Sequence, residues 1–209
     1  MEALGGYPTK SSSPKAKKLT VLLSMTVGVG CLFLLQTQLK PRKPTDFYSF
    51  EVKDAKGRSV PLEKYRGKAS LVVNVASHSE QTEENYMSLQ DLHRELGTSH
   101  FNVLAFPCGQ YGDTETWASR DIEGFAKSTY GVTFPFFSRI KIMGSEADPA
   151  FKFLTDSVQK VPKWNFWKFL VNPEGKVVRF WRTDEPMESI RQEATAMVRE
   201  IILKKRVEL

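Results

Sequence analysis

Cysteine is nearly absent from this chain of 209 residues, which contains only two. Cys31 lies in a long apolar run near the N-terminus, so Cys108 is the only thiol in the rest of the sequence. A disulfide within the folded domain is therefore excluded, and so are the Cys-x-x-Cys motifs of zinc sites and redox proteins.

Histidine is also scarce, and the three histidines are scattered. His78, His93 and His100 lack both the i, i+4 spacing and the neighbouring cysteines of metal sites, so we predict no metal centre. His78 stands next to Ser79, but adjacent side chains point apart in regular structure. No G-x-S-x-G motif surrounds the serine, which argues against a Ser-His hydrolase.

Positive charge is in excess, but it is not spread evenly. The formal net charge is +6 at pH 7, and the surplus lies before Phe47 and after Leu203. The segment between them is close to neutral. This distribution is typical of a protein at a membrane boundary and argues against a nucleic-acid partner.

One long hydrophobic run is present, from Leu19 to Leu35 with a weakly polar continuation to Leu39. Its length suits a helix that crosses roughly 30 Å of hydrocarbon. A cleaved signal peptide would have a shorter apolar core and small residues at the cleavage site, and a buried core helix would carry charged residues on one face. We therefore predict an uncleaved transmembrane anchor over 19–39, after a short basic cytoplasmic tail over 1–18 and before a linker over 40–46.

The chain ends in RVEL at 206–209, which resembles a KDEL-type signal read by a retrieval receptor in the secretory lumen. The alternative is that these residues are the polar end of a helix. Together with the anchor they predict a single-pass protein of the endoplasmic reticulum membrane. Its C-terminal domain, 47–203, would be lumenal and followed by a retrieval-type tail over 204–209.

A strand-helix-strand unit begins the central part of this domain. Ala69 to Val75 and Phe101 to Phe106 are apolar and favour buried strands. Between them Thr82 is a candidate cap for a helix that stops at Gly97. Such a unit places its two strands parallel with a right-handed crossover.

The remaining segments complete an α/β pattern. We predict an N-terminal hairpin of Phe47 to Val52 with RSVPL, helices from Ser119 and from Pro149 to Leu154, an antiparallel hairpin of 166–171 with 176–181, and a last helix from about Met187 to Lys204. The set predicts a thioredoxin-like fold, a mixed sheet with helices on both faces. The reactive position of that fold is the loop ahead of the first helix, where Ser79 stands.

Four motifs resemble the glutathione peroxidase family, in the family's order and at family-like separations. They are NVAS at 74–77, FPCGQYG at 106–112, GVTFPFF at 131–137 and WNFWKFLVNPEG at 164–175. The anchor and the RVEL tail make the chain similar to the membrane-bound endoplasmic-reticulum member of that family. Gly109 replaces the family's usual asparagine, which predicts a looser loop.

The resemblance implies a site and an activity. Ser79 falls on the peroxidatic cysteine or selenocysteine, and Gln110, Trp164 and Asn165 fall on its supporting hydrogen-bond donors. The resemblance implies that the chain is a thiol-dependent peroxidase that reduces hydrogen peroxide or lipid hydroperoxides. Glutathione or a protein thiol, such as a disulfide-isomerase-type partner, is the donor, and no bound cofactor is needed.

Serine departs from that chemistry, because its hydroxyl presents almost no anion at neutral pH and oxygen has no sulfenic state. The alternative function is a disarmed family member that binds or regulates lumenal redox partners. Ser79 would then be a hydrogen-bonding residue at the start of a helix.

Two further expectations concern side chains near these motifs. Cys108 is a candidate secondary redox thiol, with a small buried residue at a strand end as the alternative. Lys163 and Lys168 flank the tryptophan motif and are expected to be a solvated pair. The alternative for the lysines is a site for an anionic tripeptide such as glutathione.

Overall fold

The computed structural model describes residues 44–207. The anchor and cytoplasmic tail predicted for 1–39 lie outside the described residues, as do most of the linker and the last two residues of the RVEL tail. Within the described part, no helix combines the length and apolar character needed to cross a membrane.

A four-stranded sheet forms the centre of the domain, in the order β4-β3-β5-β6. Its strands are β3 (Ala69–Val75), β4 (Phe101–Pro107), β5 (Lys168–Val171) and β6 (Val177–Trp181), preceded by a small hairpin of β1 (Glu51–Lys53) and β2 (Ser59–Pro61). β3 and β4 are parallel, whereas β3 with β5 and β5 with β6 are antiparallel. Every residue of β3 and β4 is buried, as expected for strands that are covered on both faces.

Helices cover both faces of this sheet. They are α1 (Thr82–Leu96), α2 (Ser119–Tyr130), α3 (Pro149–Val158) and α4 (Met187–Val207). The core on one face combines β3 with α1, α2 and α4. The core on the other face combines the sheet with α3 and the first segment of the described domain, Phe47 to Tyr65. The prediction of a thioredoxin-like α/β fold is confirmed for the domain.

Several element boundaries differ from the prediction; α3, for example, continues to Val158, past the predicted end at Leu154. Phe47–Ser49 is a 3₁₀ turn and not a strand, because the Asp46 carboxylate accepts hydrogen bonds from the Tyr48 and Ser49 backbone N–H groups. β5 begins at Lys168 because Phe166 takes a left-handed conformation with φ 61°. α4 continues to Val207, past the predicted end at Lys204.

Candidate active site

Ser79 lies in the turn between β3 and the first residue of α1, and it is 8% exposed. Its hydroxyl donates to Gln81 Oε1 at 2.7 Å, and its backbone N–H donates to Thr82 Oγ1 at 3.0 Å. The Thr82 hydroxyl in turn donates to the Ala76 carbonyl at 2.9 Å. Thr82 is thus the first helical residue and ties the turn to β3, whereas the N-cap position predicted for it belongs to Gln81.

Of the predicted supporting residues, Trp164 contacts this turn and Asn165 bonds to a neighbouring one. The Trp164 indole N–H donates to Gln81 Oε1 at 3.3 Å, so Gln81 links the tryptophan to Ser79. Asn165 is fully buried, and its Nδ2 donates to Thr114 Oγ1 at 2.9 Å. Its Oδ1 has no hydrogen-bond partner within the described residues.

The tryptophan segment is held in place by Asn74 near the end of β3. Asn74 Nδ2 donates to the Trp164 carbonyl and the Trp167 backbone N–H donates to Asn74 Oδ1, both at 3.0 Å. The Phe166 backbone N–H donates to the Asn74 carbonyl at 2.7 Å. These bonds stabilise the left-handed Phe166, a conformation that is unfavourable for a bulky residue.

Gln110, the third predicted supporting hydrogen-bond donor, bonds to residues outside the Ser79 turn. Its Oε1 accepts from the backbone N–H groups of Ile142 at 2.6 Å and Met143 at 3.0 Å, and its Nε2 donates to the Met143 carbonyl. It makes no hydrogen bond with Ser79 and lines a different cavity from Trp164. Gln110 therefore connects the loop after β4 to the segment that contains Ile142 and Met143.

Sequence reasoning missed Gln81 and Thr114, the side chains that bond to Ser79, Trp164 and Asn165. Gln81 was within reach of prediction, because a serine hydroxyl commonly bonds to a group two residues along a turn. Thr114 carried no signal, since its contact with Asn165 depends on tertiary packing.

Cys108 is fully buried at the end of β4. Burial raises the pKa of its thiol to about 11, so at neutral pH it is almost entirely protonated. Its sulfur lies 3.8 Å from Gln110 Oε1, among core residues. This environment favours a structural role over that of a secondary redox thiol.

His78 and Glu115 are two further titratable residues near the Ser79 turn. The exposed His78 ring packs edge-on against Trp117, with centroids 4.3 Å apart, and makes no hydrogen bond with Ser79. The buried Glu115 carboxylate accepts from the Ser77 hydroxyl at 2.7 Å. Burial raises the pKa of this carboxyl group, and the Ser77 hydrogen bond opposes the rise.

Gly109 lies in a tightly packed loop, which overturns the expectation that it loosens the chain. An ideal Cβ at this position would lie 2.6 Å from the Glu115 carbonyl oxygen, closer than real Cβ contacts allow. The backbone segments that carry Cys108 and Glu115 therefore approach each other closely because residue 109 has no side chain.

We expect Gly109→Ala to lower the free energy of unfolding by about 1–3 kcal/mol, because the added methyl group displaces buried backbone. Gly124→Ala is the matched control. Gly124 lies within α2 with nothing within 4 Å of its ideal Cβ, so this change is expected to raise stability by about 0.5–1 kcal/mol. Denaturant titration measures both, and an unchanged midpoint for Gly109→Ala would contradict the close approach.

A cavity of about 480 Å³ opens directly beside the Ser79 turn. Its lining includes Gln81, Trp164, Trp167, Lys168 and Arg182. Lys168 is only 1% exposed, so the expected solvated pair of lysines is not formed. A preformed cavity of this size suits a small-molecule ligand.

Comparison with known proteins assigns the family. The family profile described as glutathione peroxidase matches residues 47–155. The chain belongs to the glutathione peroxidase family. The probable glutathione peroxidase 8 of Tetraodon nigroviridis is 87% identical over 210 residues and that of Homo sapiens 57% over 209, with 100% of each chain covered.

Solved structures agree with this glutathione peroxidase assignment. The crystal structure of Trgpx in apo form is 30% identical with a TM-score of 0.62, covering 75% of this chain and 97% of its own. The crystal structure of T. cruzi GPX1 is 26% identical with the same TM-score, covering 74% and 97%. A thioredoxin family thiol:disulfide interchange protein from Chlorobium tepidum, 12% identical with a TM-score of 0.57 and covering 75% and 97%, shares the fold.

Proposed function

We propose that this member of the glutathione peroxidase family is a lumenal binding module that holds thiol redox partners at the Ser79 site and does not reduce peroxide by itself. One observation carries the proposal. The side chain at the reactive turn is a hydroxyl that donates to Gln81, and the only thiol within residues 44–207 is the buried Cys108.

The chemistry of peroxide reduction explains why a hydroxyl group at this turn cannot replace a thiol. A thiolate sulfur attacks one peroxide oxygen, the O–O bond breaks, and water or an alcohol leaves with a proton while the sulfur becomes a sulfenic acid. A serine oxygen has no corresponding oxidised state. The hydroxyl of Ser79 can therefore hold a ligand by hydrogen bonding but cannot take up the peroxide oxygen.

A second candidate is favoured by the position of the Trp164 indole N–H beside the turn, where a donor would stabilise a developing anion. This candidate is a thiol-dependent peroxidase that reduces hydrogen peroxide or lipid hydroperoxides with the donor's own sulfur. A thiolate of glutathione or of a protein partner would attack the peroxide and become the sulfenic acid. A second donor thiol would then displace water and form the disulfide.

We place both candidates in the endoplasmic reticulum membrane. The anchor predicted at 19–39 and the RVEL ending support this location, with the folded domain in the lumen. The partners expected there are disulfide-isomerase-type oxidoreductases and the KDEL-type retrieval receptor.

Peroxide consumption by the full-length chain distinguishes the two candidates. With glutathione or a reduced disulfide isomerase as donor, we expect the rate to equal that of the donor alone. A saturable rate that survives both Ser79→Ala and Cys108→Ser would overturn the proposal in favour of the donor-thiol peroxidase. A rate lost only in Cys108→Ser would overturn it too, by showing that the buried thiol reacts.

A further inference from the structure

The two edges of the central sheet differ in how they are covered. At the β4 edge the Ala105 backbone N–H donates to the Pro135 carbonyl at 3.1 Å, and the Ile140 N–H donates to the Pro107 carbonyl at 2.9 Å. β6 forms the opposite edge, and within the described residues no backbone group of Val177–Trp181 bonds to anything outside β5. A strand with free N–H and C=O groups on one side can pair with a further strand.

A groove of about 1000 Å³ lies along this open edge, and we call it the β6 groove. It is lined by all five residues of β6, by 157–161 at the end of α3 and by Ser189 and Glu193 at the start of α4. Val161 and Val178 in this lining are 47% and 48% exposed. An open strand edge with apolar contacts beside it suits an extended segment of about five residues, which spans roughly 17 Å.

The charges of the β6 groove favour an acidic segment. Its lining contains four basic and two acidic side chains, a net charge of +2. Both acids already lie beside arginines, in the pairs Arg179–Glu193 at 3.2 Å and Arg182–Glu185 at 3.7 Å. Lys160 and Lys163 are exposed, and their ammonium groups have no acceptor or ion-pair partner in the part of the chain that the structure describes. Carboxylates of a bound segment would supply those partners.

The same edge disfavours a second copy of this chain. A β-bulge interrupts the pairing of β6 beside Leu170 and Val171, and Arg179 places an exposed charge on the strand. Bulges and charges on an edge strand limit pairing between identical copies. Two copies would also bring together two grooves that each carry a net charge of +2. The charge complement is therefore a different chain that carries acids.

The β6 groove is continuous with the cavity beside the Ser79 turn. Both are lined by Lys163, Trp167, Arg182 and Glu185. The residues that directly follow β6, from Arg182 to Met187, line the cavity, so β6 runs toward it. A segment paired with β6 would therefore place its neighbouring residues close to the Ser79 turn.

We propose that the β6 groove binds an extended acidic segment of a protein redox partner, which adds to the sheet as a strand beside β6. This assignment rests on the proposed function, since it names the surface and the class of segment by which such a partner is held. Backbone hydrogen bonds to β6 provide the pairing, and Lys160 and Lys163 select the charge.

Fluorescence anisotropy of the full-length chain with a labelled acidic peptide, EVEVEVE, tests the charge selection at low ionic strength. The peptide has no thiol, so its binding is independent of redox chemistry. We expect the double variant Lys160→Glu and Lys163→Glu to weaken the affinity about tenfold, because two attractions become repulsions. The matched control, Lys53→Glu with Lys56→Glu, alters the net charge equally at exposed positions outside the groove. It is expected to change the affinity by less than about twofold.

Two N-methylated forms of the peptide test strand addition separately from charge. Successive N–H groups of a strand point to opposite sides, so methylating either the valines or the internal glutamates removes donors from one side only. We expect one form to bind about tenfold or more weakly, because it loses its hydrogen bonds to β6, and the other to bind like the unmodified peptide.

Three results would overturn the assignment. They are no binding to the parent protein, equal affinities for the two double variants, and equal weakening by the two methylated forms. A dimer of the parent protein that the acidic peptide dissociates would also overturn it, by assigning the β6 groove to a second copy. The proposed function fails separately if the parent consumes peroxide, a result that leaves peptide binding unchanged.

Discussion

Ser79→Cys is expected to turn this chain into a peroxidase with a turnover on the order of 1 s⁻¹ or above, the low end of the usual enzyme range. The introduced sulfur would lie at the N-terminus of α1, where backbone N–H groups and the helix dipole lower a thiol pKa below about 8.5. The thiolate would become a sulfenic acid, and two donor thiols would return it to the thiol as water and a disulfide form. Peroxide consumption with glutathione measures the gain.

Two further variants test whether the gain in peroxidase activity is specific to position 79. Ser128→Cys adds a thiol on the exposed surface of α2 and is expected to stay at background. Adding Trp164→Phe to Ser79→Cys removes the indole donor and should slow turnover by roughly tenfold or more. A folded Ser79→Cys protein that is as inert as Ser128→Cys would show that the site has lost more than its sulfur.

Asn74→Leu is expected to lower the free energy of unfolding by about 2–4 kcal/mol, because it leaves the Trp164 carbonyl and the Trp167 N–H without partners in the interior. Phe166 would then lose side-chain support for its left-handed backbone. The melting temperature should fall on the order of 10 °C for a domain of this size. Scanning calorimetry measures the change.

The control for this change lies on the next strand. Asn102 in β4 is also a buried asparagine, but its amide nitrogen has no partner within the described residues. Asn102→Leu is therefore expected to leave stability unchanged or raise it slightly. Equal losses in the two variants would show that the Asn74 hydrogen bonds contribute nothing beyond burial of an amide.

The elements of the fold could be predicted because each depends on a local pattern. The mostly apolar runs of β3 and β4 and the turn at Asn172 to Gly175 place strands without tertiary information. The start of β5 could not be predicted in this way. The left-handed Phe166 is stabilised by Asn74, a residue far away in the sequence.

Only part of the candidate site could be predicted, because some of its contacts also depend on residues that are far apart in the sequence. Ser79, Trp164 and Asn165 follow from the resemblance of long motifs. The structure links Trp164 to Ser79 through Gln81, whereas Asn165 bonds to Thr114 in a neighbouring turn. Gln110 belongs to an equally good motif, yet its amide pairs with backbone at Ile142 and Met143. The sequence also does not show that Lys168 is buried. Its burial depends on the packing of α1 and α4 around β5.

Sulfenic-acid trapping after one equivalent of hydrogen peroxide tests most directly whether the parent protein lacks a sulfur that reacts with peroxide. Parent and Ser79→Cys proteins would be treated with dimedone and mapped by peptide mass spectrometry. We expect one adduct at position 79 in Ser79→Cys and none anywhere in the parent. An adduct at Cys108 of the parent protein would contradict it, since that thiol is buried and its pKa is raised to about 11.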